Sequence, residues 1–259
     1  MYKRAFNPSV LTVITAIGLL LGSACSKKLR RDEASADKLK MGLAAYFPFD
    51  NESNDAPGNN EAGAIYNVSP VTDRFGRQNK ALYFDGAKSY MTVPDNKTLR
   101  ISQTDFTLSA WVKPESYNSS YGSIILSKRY TGLNKGWMMS IGGFQQKNTG
   151  GVNFGPGGGG LNAFGNKVVP LDKWSLITCV YELASQTLKT YVDGDLDQTS
   201  GEILSPNQDI DALIYIGKDN PDVSSNGYYF KGAMDDVRIY TRALSAGEVK
   251  ELFNYTDSK

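Results

Sequence analysis

The chain has 259 residues, 28 Lys and Arg against 27 Asp and Glu, two cysteines and no histidine. The missing histidine excludes a Ser-His-Asp triad, a Cys-His pair, HExxH zinc sites and any imidazole base. Two cysteines are too few for a thiolate zinc site, so any metal must be held by oxygen, which points to calcium.

Lys3 and Arg4 open the chain and Val10 to Leu21 follows as a 12-residue, mostly apolar run. That is too short to span a bilayer comfortably, so residues 1–24 read as an export signal. Leu21-Gly-Ser-Ala-Cys25 resembles a bacterial lipobox. The resemblance implies cleavage before Cys25 and lipidation of its thiol and new amino group. Each buried CH₂ of the acyl chains adds about 0.8 kcal/mol of membrane binding. Ser26 rather than Asp after the cysteine favours the outer membrane, by resemblance to known sorting rules. Residues 26–40 carry six Lys or Arg and three Asp or Glu. With the lipidated Cys25 they read as a tether over 25–40. Residues 41–259 carry 20 Lys or Arg and 24 Asp or Glu without a basic run, which argues against nucleic-acid binding.

Residues 41–259 read as one all-β domain. Alternating or apolar runs predict strands at Leu43 to Phe49, Ala81 to Phe84, Tyr90 to Val93, Phe106 to Lys113, Ile124 to Lys128 and Gly136 to Ile141. Further strands are expected at Gly151 to Phe154, Lys167 to Val169, Leu176 to Leu183, Leu188 to Val192, Leu213 to Ile216 and Phe230 to Tyr240. Asp193-Gly194 predicts a hairpin turn, because Asp-Gly tolerates the positive φ a two-residue turn needs. Cys179 lies within an apolar strand pattern and reads as a small core residue. Ser245-Ala-Gly-Glu248 matches a capping box, and Val249, Leu252 and Phe253 follow at helical spacing, predicting one terminal helix. Many strands and one helix predict two antiparallel sheets face to face, a jelly-roll β-sandwich.

In the last strand, alternation groups Ala233, Asp235, Val237 and Ile239 on one face. If Val237 and Ile239 face the core, Asp235 points the same way near the strand's start. A carboxylate at a core edge needs a cation or several donors, which makes Asp235 a candidate metal ligand. Asp50, Asn54, Asp55 and Asp85 supply further carboxylate and amide oxygens of the kind Ca²⁺ takes, about 6–8 ligands at 2.3–2.6 Å. Turn chemistry is the competing reading of these residues.

The string Phe230-Lys-Gly-Ala-Met-Asp-Asp-Val-Arg-Ile-Tyr240 closely resembles the last strand of laminin-G-like domains of the concanavalin A-like lectin/glucanase superfamily. Leu43 to Asp50, Asn54-Asp55-Ala56, Asp73-Arg-Phe-Gly76, Ala81 to Gly86, Phe106 to Lys113 and Leu188 to Gly194 resemble earlier blocks in the same order. The resemblance covers nearly all of 43–255 and implies the jelly roll. It also implies a calcium between the N-terminal segment and the last-strand aspartate, and a glycan or extracellular protein ligand. A pyranose offers an apolar C–H face to aromatic rings and hydroxyls to polar groups. Tyr121, Lys128, Tyr130, Trp137, Asn153, Phe154 and Phe164 are therefore candidate carbohydrate-binding residues. Trp111 and Trp174 are assigned to packing, and Gly155 to Gly160 to a connecting loop. Glycoside hydrolysis usually needs two carboxylates. No glutamate stands in the Glu-x-Asp-x-x-Glu pattern of the superfamily's glucanases, so no catalytic residue is assigned. The expectation is a non-catalytic, envelope-anchored lectin-like protein, with a protein-binding adhesion module as the alternative.

Overall fold

The computed structural model describes residues 37–50, 63–117, 122–130, 135–142, 150–156, 162–206, 210–220 and 227–255. It divides into two units, residues 1–41 and 42–259. The described part of the first, residues 37–41, holds a helical turn at 37–40, where Lys40 pairs with Asp37 at 3.3 Å.

The second unit holds two antiparallel sheets. One runs in the order β13 (Asp195–Ser200), β12 (Thr187–Val192), β11 (Ser175–Glu182), β6 (Phe106–Pro114), β15 (Lys231–Tyr240), β4 (Ala81–Asp85) and β3 (Ser69–Val71). Strand β1 (Leu43–Phe47) also pairs with β15. The other sheet runs β10 (Ala163–Phe164), β9 (Val152–Pro156), β8 (Lys135–Ile141), β7 (Ser123–Tyr130), β14 (Ile214–Ile216), β5 (Tyr90–Val93) and β2 (Ala64–Tyr66). Strands β2, β3 and β10 fall where no strand is predicted. They are two or three residues long and are held by pairing rather than by their own pattern. The predicted strand at Lys167 to Val169 is corrected: these residues lie in no strand.

Alternation along the strands builds the core. Phe47, Phe84, Leu108, Ala110, Val112, Ile177 and Cys179 meet Met91, Val93, Leu126, Met139, Ile141, Phe154 and Ile216 from the facing sheet. Each fully buried large side chain contributes about 1.5–3 kcal/mol. Phe106 joins the layers, stacked on Tyr181 at 5.0 Å and tilted against Phe154 at 5.3 Å. Cys179 is fully buried, and burial pushes its thiol far above the ordinary range, so no reactive thiolate forms.

The helix Ala246–Asn254 carries the predicted capping box between Ser245 and Glu248. It lies on the first sheet's outer face, where Phe253 stacks on Trp111 at 5.5 Å and Lys250 pairs with Asp195 at 2.7 Å. The second sheet has its own outer face.

Candidate functional site

Asp235 is buried, but not on the core face. A β-bulge interrupts the β15–β6 register between Asp235 and Arg238, and Asp236 takes a left-handed φ of 50°. The extra residue resets the alternation. Met234, Val237 and Ile239 therefore face the core together, while Asp235 lies opposite Trp111 on the helix-bearing side. The bulge falls where the neighbour of β15 changes from β4, paired to 231–234, to β1, paired to 237–240.

Two guanidiniums balance the two carboxylates there. Arg74 Nη1 donates to Asp235 Oδ2 at 2.5 Å and Arg74 Nη2 reaches Asp236 Oδ2 at 2.5 Å. Arg238 donates to Asp236 at 3.1 Å, and the Tyr46 hydroxyl donates to the same oxygen. Arg74 also lies 4.7 Å from the Trp111 ring centroid. Burial, with the neighbouring Asp236 charge adding to it, pushes the Asp235 carboxyl well above the usual range. At Asp236 burial acts in the same direction, but Arg238, Arg74 and Tyr46 outweigh it and hold the carboxyl low.

The other described members of the expected calcium set have their own partners. Asp85 Oδ1 accepts from the backbone N–H groups of Ala87, Lys88 and Ser89 at 2.8–2.9 Å. Burial opposes its charge, but these N–H groups and the Ser89 hydroxyl hold its pKa at about 2. Asp50 lies 3.7 Å from Lys80 Nζ. Cys25, Asn54, Asp55 and Tyr121 lie outside the described residues. Among the described residues no three acidic side chains converge as a metal site would require. A divalent ion at Asp235 would stand beside the Arg74 guanidinium, a like-charge contact, so Asp235 does not fit that role.

The expected carbohydrate ligands divide by strand face. Trp137 and Phe154 are corrected to core residues, since alternation on β8 and β9 turns them inward with Met139 and Val152. Lys128 is corrected as well: it is 1% exposed, bonded to Asp95 and to the Ala212 carbonyl at 2.9 Å. Tyr130 donates to Asp211 at 3.4 Å.

Asn153 points the other way, on the second sheet's outer face, with Ser140 and Phe164 as its cross-strand partners. It is 3% exposed; its Nδ2 donates to Ser140 Oγ at 3.3 Å, while its Oδ1 has no partner among the described residues. Two residues on, Gly155 shares that face. A Cβ there would meet Asn162 Oδ1 at 3.0 Å and Met138 at 3.2 Å, so the bare backbone leaves room for the neighbouring amide.

Farther across the same face lies a second group of residues. Gly155, Met138, Ser127, Tyr215 and Thr92 are successive cross-strand partners, and Tyr90 beside Thr92 pairs with Tyr66. Tyr66 and Tyr90 stack at 4.4 Å. Lys218 Nζ lies 4.6, 5.2 and 5.5 Å from the ring centroids of Tyr90, Tyr229 and Tyr215. Gly217, at φ 84°, turns the chain out of β14, since a Cβ there would strike the Phe84 ring at 2.4 Å. Asp219 then fastens the segment to the sheet, accepting from Ser127 Oγ at 2.6 Å, from Arg129 Nε at 3.0 Å and from Arg129 Nη2. The alternation in Tyr90-Met-Thr-Val93 and Ile214-Tyr-Ile216 signals outward tyrosines. Nothing in it brings Lys218 among them.

No curated protein sequence matches the chain. Solved structures do. Domain 4 of AbnA, a GH43 extracellular arabinanase from Geobacillus stearothermophilus, solved in complex with arabinotriose, is 21% identical with a TM-score of 0.62. That match covers 81% of this chain and 97% of that one. The binding domain of Paraclostridial Mosquitocidal Protein 1 gives 21% identity and a TM-score of 0.66 over 83% of this chain and 52% of that one. The binding domain of botulinum neurotoxin DC in complex with SialylT gives 16%, a TM-score of 0.60, and 83% and 51%. The chain thus spans about half of each toxin domain, and identities this low establish a shared fold. Residues 85–250 match the Laminin_G_3 family, and the chain belongs to the concanavalin A-like lectin/glucanase superfamily.

Proposed function

We propose that the protein is a non-catalytic carbohydrate-binding protein, held at the bacterial envelope by a lipid on Cys25, with its glycan site on the outer face of the second sheet. One observation carries the glycan reading: the buried Asn153 carbonyl oxygen without a partner among the described residues. A buried acceptor left unpaired costs about 1–3 kcal/mol, a cost removed when a ligand hydroxyl meets it. Asn162 and Phe164 flank it with an amide and a ring, the mixed chemistry a sugar needs. The arabinanase domain of matching length, solved with arabinotriose, supports the same class of ligand. The absence of histidine and of the paired-glutamate pattern supports the non-catalytic reading.

The test is calorimetric titration of the full chain in detergent with neutral oligosaccharides, arabinotriose among them. Asn153→Ala removes one hydrogen-bonding group and should weaken binding about tenfold, since a bond of about 1.4 kcal/mol is worth that factor. Equal affinities in the two proteins would remove Asn153 from the site. Turnover of any of these sugars would end the non-catalytic reading.

A further inference from the structure

Lys218 is 6% exposed, yet it has no carboxylate partner among the described residues. Among the described residues its ammonium lies over the rings of Tyr90, Tyr215 and Tyr229. The neighbouring carboxylate, Asp219, is taken by Ser127 and Arg129. A buried ammonium is costly when unpaired, and ring faces attract a cation but do not neutralise it. The arrangement is held in place: Asp219 pins the segment to β7, and the N–H of Phe230 bonds back to the Gly217 carbonyl at 2.9 Å. The result is a fixed positive centre ringed by phenol side chains, with Tyr66 exposed at its outer end.

We propose that this cage is an anion subsite, and that it takes the carboxylate of an acidic saccharide. Lys218, with rings but no carboxylate beside it among the described residues, calls for the anion. The saccharide rests on the glycan reading, because cage and Asn153 share one face. Lys218 lies over Tyr215 of β14 and Tyr90 of β5, three and four strand spacings from the β9 of Asn153, roughly 14–19 Å. That is a separation one oligosaccharide can bridge, its neutral end at Asn153 and its acidic unit at Lys218. The tyrosines offer flat apolar faces to the ring that bears the acid.

The experiment titrates the full chain in detergent with polygalacturonate, its fully methyl-esterified form, heparin, a neutral arabinan and poly-glutamate. Lys218→Met keeps the unbranched stem and removes the charge. Polygalacturonate should bind at least tenfold more tightly than its ester, and Lys218→Met should abolish that preference while arabinan binding stays unchanged. Equal affinity for acid and ester, or an unchanged preference in Lys218→Met, overturns the proposal. A preference for heparin over polygalacturonate overturns the carboxylate in favour of a sulfate. Poly-glutamate binding as tightly as polygalacturonate overturns the saccharide in favour of an acidic peptide. If Lys218→Met does not fold, the acid-against-ester comparison on the natural chain decides. Arabinan bound without any acid preference defeats the cage alone; acid preference without arabinan binding defeats the Asn153 site alone.

Discussion

Arg74 shows what a single side chain does in this fold. Its side chain is 5% exposed and faces Asp235 and Asp236, themselves 3% and 6% exposed. Without Arg74 the pair faces one remaining guanidinium, that of Arg238, and Asp235, whose carboxyl burial and Asp236 already push up, loses the charge that lowers it. Removing one partner of a buried ion pair typically costs 3–5 kcal/mol, because the charge left behind stays desolvated. Arg74→Met keeps an unbranched stem and removes the guanidinium, together with its contact to the Trp111 ring. It should lower stability by about 3–5 kcal/mol, read as a drop in the urea midpoint with the slope unchanged. A loss under about 1 kcal/mol would mean that water or a proton already compensates the pair. The same geometry explains why the expected metal role of Asp235 does not fit: the cation that this carboxylate requires is supplied by the chain 161 residues earlier.

Among the elements, the terminal helix was the most legible, and its chemistry is local. Ser245 and Glu248 cap each other within one turn, with the Ser245 N–H donating to Glu248 at 2.8 Å and the Glu248 N–H donating to Ser245 at 3.3 Å. Burial works against the Glu248 charge, but bonds from Arg242 and Ser245 outweigh it and hold its pKa at about 2, below the ordinary 4.5. A carboxylate with a depressed folded pKa adds stability above its unfolded value and loses it as pH falls through the folded one. The melting temperature should therefore fall between pH 4.5 and 2, and Glu248→Gln should make that fall shallower while lowering the plateau near neutral pH. Parallel thermal scans of the two proteins check it; curves with equal pH slopes would dissociate Glu248 from the acid limb. The long strands were legible for a similar reason, since alternation is a two-residue signal. It failed at β15, where the bulge at Asp236 depends on a change of neighbouring strand and not on anything in Asp235-Asp236-Val237 themselves. At Lys128 and Trp137 alternation holds: their types suit sugar binding, but strand parity turns both inward. Lys218 was not readable, because its place depends on an Asp219–Arg129 pair 90 residues apart.

At the scale of the whole domain the two outer faces divide the work. The first sheet's face is closed by the helix, with Phe253 over Trp111 and the Arg74 cluster beside it, and it joins the first strand to the last through Tyr46, Arg238 and Asp236. The second sheet's face carries Asn153 at one end and the tyrosines around Lys218 at the other. The full thickness of the core separates them, and packed sheets stand about 10 Å apart. Sites that far apart, with no shared partner, add nearly independently. Phe253→Ala removes a half-buried ring and its stack and should cost about 1–3 kcal/mol of stability, with glycan affinity unchanged. Asn153→Ala should weaken binding, and its own stability change is the balance between removing the orphaned amide oxygen and losing the Ser140 bond and buried volume. The double variant should then show the sum of the two stability changes and the affinity of Asn153→Ala alone. A stability coupling beyond about 0.5 kcal/mol, or an affinity change in Phe253→Ala, would show that the faces communicate through the core and that the binding site is not confined to the second sheet.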